Sequence, residues 1–478
     1  MISKHAFSYL LSHGVPAIVS FLSIAIFSRM LAPEEYGTYA VVFAIAAIIN
    51  AVVFDWLKIS LLRFYPKFEQ EPNFLETIKV TFVSLALLTL TGGIVVSLFY
   101  DSEELAAIYI FIAVILSWTQ SWQGLNLSLV RAQLSPRKYG YLAFSRATGG
   151  LLFGSLLIYL GFGAKGLLFG IMIGFWLTLI YPTLKYWKPY LKPSAFNKKY
   201  VQTFFKYGMP LTVTLMLSII IHNSDRLIIS YLLGKDATGV YSVSYDLSEQ
   251  TIFTLMMVIN LAAFPIVIKT NETKGLQAAY EQVKKNTSLL LMIALPAATG
   301  FVLLSPNIVN IVLGEAYREA ALILIPYIAV GAVLKGFKLY SIDIMFHLSQ
   351  KTSIQMIPVA ISAVVNVGLN FLLIPRMGIE GAAVSTIIAY LLAVILSWIL
   401  VKLRMEVPFP LVNFLKIVVA VVVMALALWP IKDAIGIWMA IVQVLLGGLV
   451  YLLMAVVLNI EGVRDIVKKK AFKKSGAN

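Results

Sequence analysis

Eight ionisable side chains interrupt long apolar runs of this sequence: Asp55, Asp225, Arg226, Asp246, Glu249, Lys335, Lys338 and Asp343. A charge carried to the middle of a bilayer costs on the order of 3 kcal/mol or more, and persists where it faces a water-filled cavity or an opposite charge. The chemistry open to such a set is recognition. Basic groups at mid-span can seat a polyanion, and acids can seat a cation or tune the bases beside them. Lys335, Lys338 and Asp343 fall within an arc of about 140° on an ideal helix, so that helix has one wet face. The alternative is that either lysine only neutralises an acid on a neighbouring helix. His222-Asn223-Ser224-Asp225-Arg226 reads either as a cavity wall that binds a coupling cation or as a locally satisfied pair. Asp246 and Glu249, three residues apart, share a face and would repel if both were ionised. Asp55 stands near a helix end and is open to solvation. Asn366 and Asn370, one turn apart, suit interhelical hydrogen bonding or substrate contact. Arg29 closes the first apolar run, where it can fix a turn with Glu34 or Glu35 or act at a gate. With no cysteine and four histidines, disulfides and thiolate metal sites are excluded, and no metal or catalytic residue is expected.

These residues must be positioned by membrane helices. The 478 residues are 60% hydrophobic and 13% charged, against roughly a quarter charged in soluble domains, and the mean hydropathy is +0.88. Apolar runs of about 20 residues recur from end to end, each long enough to cross a bilayer as a helix, and they do not alternate as β-barrel strands do. The reading is an all-α polytopic membrane protein with about fourteen spans, near residues 9–30, 39–59, 77–99, 105–129, 141–160, 166–186, 207–233, 238–266, 287–313, 320–345, 353–374, 379–401, 411–429 and 436–459. The first has no small-residue cleavage site and is read as retained.

The net charge of +15 would suit nucleic acid if read alone, but its placement argues for a membrane. Alternate loops hold 29 basic residues on one side against 6 on the other. Arg146 is counted with the basic side, where it is expected to matter less for the site. The bias follows the positive-inside rule, so both termini are expected in the cytoplasm, and anionic headgroups rather than nucleic acid account for the charge.

Internal repetition organises the spans. Gly37 and Tyr39 recur as Gly239 and Tyr241, an offset of 202, and Gly163 and Gly166 recur as Gly378 and Gly381, an offset of 215. Two six-helix lobes in the same order would produce this, related by an axis along the membrane normal. The expected parts are an N-terminal lobe (1–190), a basic cytoplasmic linker (191–206), a C-terminal lobe (207–405), extra helices thirteen and fourteen (406–460), and a basic cytoplasmic tail (461–478). Gly149, Gly150, Gly154, Gly166, Gly170 and Gly174 permit close helix packing. Trp118, Trp122, Trp176, Trp187, Trp398, Trp429 and Trp438 are read as interfacial belt residues.

The stretch from Asn366 through Asn370, Ile374-Pro375 and Gly378-Ile-Glu-Gly381-Ala-Ala to Ser385 resembles the Wzx-type polysaccharide and O-antigen flippases of the multidrug/oligosaccharidyl-lipid/polysaccharide exporter superfamily. Arg29-x-Leu-x-Pro33-x-x-Tyr36-Gly37, Asp225-Arg226 leading to Gly239-x-Tyr241-x-x-x-Tyr245, and Leu313-Gly-x-x-Tyr317-x-x-Ala320 agree with it. The resemblance covers residues 1 to about 405. It implies two lobes alternately open to each side of the inner membrane, moving a polyprenyl-diphosphate-linked oligosaccharide for surface polysaccharide synthesis. Arg226, Lys335, Lys338, Asn366 and Asn370 are then the expected substrate contacts. Asp55, Asp225 and Asp343 are expected to tune charge or hold a coupling ion, with Na⁺, H⁺ or no ion left open and no other cofactor. Membrane lipids are partners, and a polysaccharide polymerase with co-assembled glycan enzymes is left open. A cation-coupled multidrug antiporter and a lipid II flippase of the same superfamily remain alternatives. A glycosyltransferase or polymerase would need larger extramembrane loops than these, so no enzyme is expected.

Overall fold

In a computed structural model of the chain, residues 2–99, 107–187, 192–349 and 352–465 are described, and every element among them is helical. Lys188, Lys351, Leu191 at the start of the expected linker and the tail beyond 465 lie outside them. The helices are α1 (Ile2–Met30), α2 (Pro33–Ile49), α3 (Asp55–Phe68), α4 (Pro72–Phe99), α5 (Ala107–Ala132), α6 (Pro136–Leu157), α7 (Gly163–Tyr186), α8 (Lys198–Lys274), α9 (Leu276–Leu303), α10 (Ser305–Val312), α11 (Glu315–Phe337), α12 (Asp343–Leu348), α13 (Met356–Met377), α14 (Ile379–Lys402), α15 (Leu411–Leu428) and α16 (Ile437–Val457). Short π-helical turns, Asn50–Phe54, Ile158–Phe162 and Lys338–Ile342, join α2 to α3, α6 to α7 and α11 to α12. Starts follow local chemistry. α2 opens on Pro33 with Glu34 and Glu35 in its first turn, and α6 on Pro136 after Ser135, where a missing N–H costs nothing and acids meet the positive helix end.

Among the described residues, eleven helical runs are long and apolar enough to cross a membrane. Two of them, Pro136–Tyr186 with 51 residues and Leu215–Lys274 with 60, are more than twice the roughly 20 residues of one crossing. Each is broken by a glycine in the left-handed region, Gly161 and Gly234, both at φ 87°. Counting each as two, and adding the shorter apolar helix Gly14–Met30, gives the fourteen expected segments.

The chain forms two compact units: Met1–Ser242 with Val359–Ala382, and Val243–Pro358 with Ala383–Asn478. This division by packing runs along a different line from the lobes 1–190 and 207–405 drawn from the repeat, since the first unit takes in residues 207–242 and 359–382.

In the first unit, Val42 and Ala46 of α2, Ile112 and Leu116 of α5, and Leu168, Met172 and Phe175 of α7 share one core. α6 and α7 meet backbone against backbone: a Cβ on Gly170 would enter the backbone of Gly154, and one on Gly174 that of Gly150. The glycine runs seen in the sequence are therefore one interface. In the second unit, α15 and α16 pack on α9 through Leu291, Ile417, Ala420, Met424, Tyr451 and Ala455, and the Tyr451 hydroxyl donates to the Met292 carbonyl at 2.7 Å.

Positions matched by the repeat adopt matched geometry. Gly163 and Gly378 both have positive φ, 51° and 63°. Gly37 and Gly239 touch: a Cβ on Gly37 would collide with the Lys235 carbonyl, and one on Gly239 with the Pro33 carbonyl. Lys235 follows Pro33 by the same 202 residues, so the contact is reciprocal, as a two-fold axis between equivalent elements requires.

Trp429 and Trp438 are exposed, whereas Trp187, read with them as a belt residue, is 2% exposed. Its ring lies 4.7 Å from that of Trp122, and its Nε1 donates to Asn126 Oδ1 at 3.0 Å. Lys79 Nζ caps the Trp187 carbonyl at 2.8 Å, and Glu76 Oε1 accepts the Lys192 N–H at 2.6 Å. This end of the expected linker is thus bound to α4.

Candidate functional site

The π-turn Lys338–Ile342 sets the charged face of the second unit. It widens the helix by one residue, so that groups five apart come together. Lys338 Nζ donates to Asp343 Oδ2 at 2.6 Å, and the same oxygen accepts Gln355 Nε2 at 2.9 Å. Lys338 is 3% and Asp343 1% exposed, so the pair is desolvated, and its charges persist because each neutralises the other. One turn earlier, Lys335 pairs with Glu249 of α8 and lies 4.4 Å over the Phe253 ring, which in turn stacks on Tyr340 at 5.5 Å. The expected repulsion between Asp246 and Glu249 is therefore not what governs Glu249: Lys335 takes up its charge. Beside it a narrow cleft, with room for about one water molecule, is lined by Tyr245, Glu249, Tyr327, Gly331, Ala383 and Thr386, among others. It joins phenol hydroxyls and aromatic faces to one carboxylate.

In the first unit the asparagine pair of α13 meets α8. Asp225, fully buried, accepts from the Tyr241 hydroxyl at Oδ2, 2.8 Å, and from Asn370 Nδ2 at Oδ1, 2.6 Å. Asn366 Oδ1 accepts from Ser224 Oγ at 3.2 Å. The asparagines therefore do act as interhelical glue, and what they hold is a carboxylate. Asn370 Oδ1 is buried with no hydrogen-bond partner among the described residues. Arg226, the next residue, is buried at 4%.

Asp55 corrects the expectation of a solvated acid. It follows the π-turn Asn50–Phe54, is 2% exposed, and forms an ion pair with Lys58 at 2.7 Å. Asn50 Oδ1 in the same turn accepts from Ser121 Oγ at 2.5 Å. Arg29 is exposed in the last turn of α1. The structure brings together Lys338 with Asp343, and Asp225 with Asn366 and Asn370. Partners that the sequence reading left out are Tyr241, Gln355, Lys58 and Phe253. Tyr241 had a signal, as the tyrosine of the repeated Gly-x-Tyr, and Lys58 had one in its spacing of three residues from Asp55.

Residues 26–322 match the polysaccharide biosynthesis protein family. Among curated proteins, the chain is similar to one of Haloferax volcanii assigned as the low-salt glycan biosynthesis flippase Agl15, at 23% identity over 95% of this chain and 94% of that one. It is also similar to one of Shigella flexneri assigned as an O-antigen transporter, at 22% identity over 84% and 98%. Among solved structures, the lipid II flippase MurJ in an inward closed conformation shares the fold, with a TM-score of 0.78 at 16% identity over 96% of this chain and 99% of that one. The Wzx-type resemblance of the motifs, the match over residues 26–322 and the shared membrane fold converge, and the chain is a member of the polysaccharide biosynthesis protein family.

Proposed function

We propose that this protein is a flippase that carries a polyprenyl-diphosphate-linked oligosaccharide across the inner membrane by alternating access, with both termini in the cytoplasm, for surface polysaccharide assembly. The observation that carries the reading is the pair of lysines in one membrane-spanning run, Lys338 buried and Lys335 half-buried, each held by a carboxylate, in a chain of this family. A diphosphate carries about two negative charges at neutral pH and cannot be desolvated without cations. Lys335 and Lys338 supply two, and Glu249 and Asp343 keep them neutral between substrates. When the diphosphate takes the lysines, the two carboxylates are left unpaired in a low-dielectric site, and uptake of a proton or Na⁺ discharges them.

Arg226, Asn366 and Asn370 are the substrate contacts proposed for the first unit. Asp225 with Asn370 Oδ1 is its coupling-ion seat, Asp55 adjusts local charge, and Arg29 serves the turn or gate after α1. The tyrosines of the cleft beside Glu249 suit sugar hydroxyls and C–H faces. Membrane lipids surround the spans, and a polysaccharide polymerase is the partner to which the product passes.

The test is export in a strain whose own flippase is deleted. Lys335→Gln with Lys338→Gln is expected to abolish surface polysaccharide while the protein remains inserted. Adding Glu249→Gln and Asp343→Asn, which strands no charge, keeps the fold and does not restore export. Wild-type export by the charge-matched variant would overturn the reading.

A further inference from the structure

Arg146, expected near the cytoplasmic end of the span 141–160, stands further along its helix in the structure. α6 opens at Pro136, so Arg146 stands ten residues inside a 22-residue helix, about 15 Å along its axis from the start. That is half the thickness of a hydrocarbon core of roughly 30 Å. The guanidinium carbon lies 5.3 Å from the centroid of the Phe175 ring, a ring 3% exposed within the core of α2, α5 and α7. The arginine itself is half-buried. Among the described residues no carboxylate pairs with it and no hydrogen bond holds its N–H groups. Lys335 and Lys338, by contrast, each have an acid.

A cation at this depth is retained where a counter-charge arrives from outside the chain. Phe175 covers one face of the planar guanidinium and favours its charge, which leaves the N–H fork at its edge for a ligand. Such a fork matches a tetrahedral oxyanion bidentately, which a lysine cannot do. Phospholipid headgroups stay at the ends of a membrane-spanning helix and Arg146 stands at its middle, so the anion that reaches Arg146 is one moved through the protein. We propose that Arg146 is a substrate-binding residue of the first unit and that its ligand is the diphosphate of a polyprenyl lipid. This rests on the flippase reading above.

The test uses the full-length protein, purified in detergent, with farnesyl diphosphate and phosphatidylglycerol as probes and native mass spectrometry as the readout. Arg146→Gln is expected to weaken farnesyl diphosphate binding about tenfold to a hundredfold, the worth of a charge-assisted hydrogen bond. Arg146→Lys falls between the two, because it keeps the charge and loses the fork, and phosphatidylglycerol binding stays equal in all three proteins. Wild-type affinity for farnesyl diphosphate in a folded Arg146→Gln overturns the assignment and leaves the flippase reading standing. If that variant does not fold, wild-type affinity in Arg146→Lys overturns it instead. An equal loss of both probes makes the site a headgroup seat and also overturns it. A wild-type protein that binds no farnesyl diphosphate removes the flippase reading itself, and the assignment with it.

Discussion

Lys335 and Lys338 of the second unit and Arg146 of the first keep different company. In the second, Lys335 and Lys338 each hold a carboxylate, so the site is charge-balanced before any ligand arrives. In the first, Arg146 has an aromatic ring and, among the described residues, no acid, while Asp225 accepts hydrogen bonds from Tyr241 and Asn370. A balanced pair can be desolvated cheaply but must be broken to bind an anion. An open cation is costly to keep but is ready for one. One unit thus offers a seat that must exchange partners, the other a seat already vacant of acid, and substitutions separate the two.

The largest effect is expected where a buried pair loses one member. Lys338→Leu strands Asp343 and should cost about 3–5 kcal/mol in denaturant unfolding, whereas Lys338→Leu with Asp343→Leu regains most of that stability and still fails to export polysaccharide. If the double variant exports normally, the pair is structural glue and the contrast between units collapses. Next comes the reciprocal glycine contact. Gly37→Leu forces a side chain into the Lys235 carbonyl, and overpacking of this kind costs about 1–3 kcal/mol. Gly239→Leu should cost the same within error if the repeat is a true two-fold, and unequal losses argue against that symmetry. Asp225→Asn removes the charged acceptor of two hydrogen bonds and should lower stability by about 1–2 kcal/mol. Protection from unfolding by Na⁺, present in the wild type, should vanish in it, and protection that survives would move the coupling ion elsewhere. The smallest effect is reserved for Lys432→Ala. Its partner Asp433 is 75% exposed, and the change should fall within about 0.5 kcal/mol.

Span number was legible because apolar length alone sets it, and the glycine-rich stretches of α6 and α7 were legible because small residues at helical spacing have few other uses. The repeat could be read from Gly37 and Gly239, yet not that the two glycines touch, which is a tertiary fact. Asn366 and Asn370 announced a polar face through their one-turn spacing; the carboxylate they hold lies 145 residues from Asn370 in the chain. Glu249 was misjudged for the same reason, since its nearest charge in sequence is Asp246 and its partner Lys335 is 86 residues away. Lys338 and Asp343 sit about 140° apart on an ideal helix, and only the π-turn closes that angle. Arg146 was misplaced by a helix boundary, and the Ser135-Pro136 start signal would have corrected it. Trp187 was read as a belt residue because its packing on Trp122 and Asn126 depends on where the chain turns after α7.

The most direct measurement follows transbilayer movement of a fluorescent polyprenyl-diphosphate-linked oligosaccharide in proteoliposomes, comparing the wild type with the charge-matched variant Lys335→Gln, Glu249→Gln, Lys338→Gln, Asp343→Asn. The account predicts transport by the wild type and at least a tenfold lower rate in the variant, with melting temperatures within a few degrees of each other. An equal rate in the two proteins would contradict it.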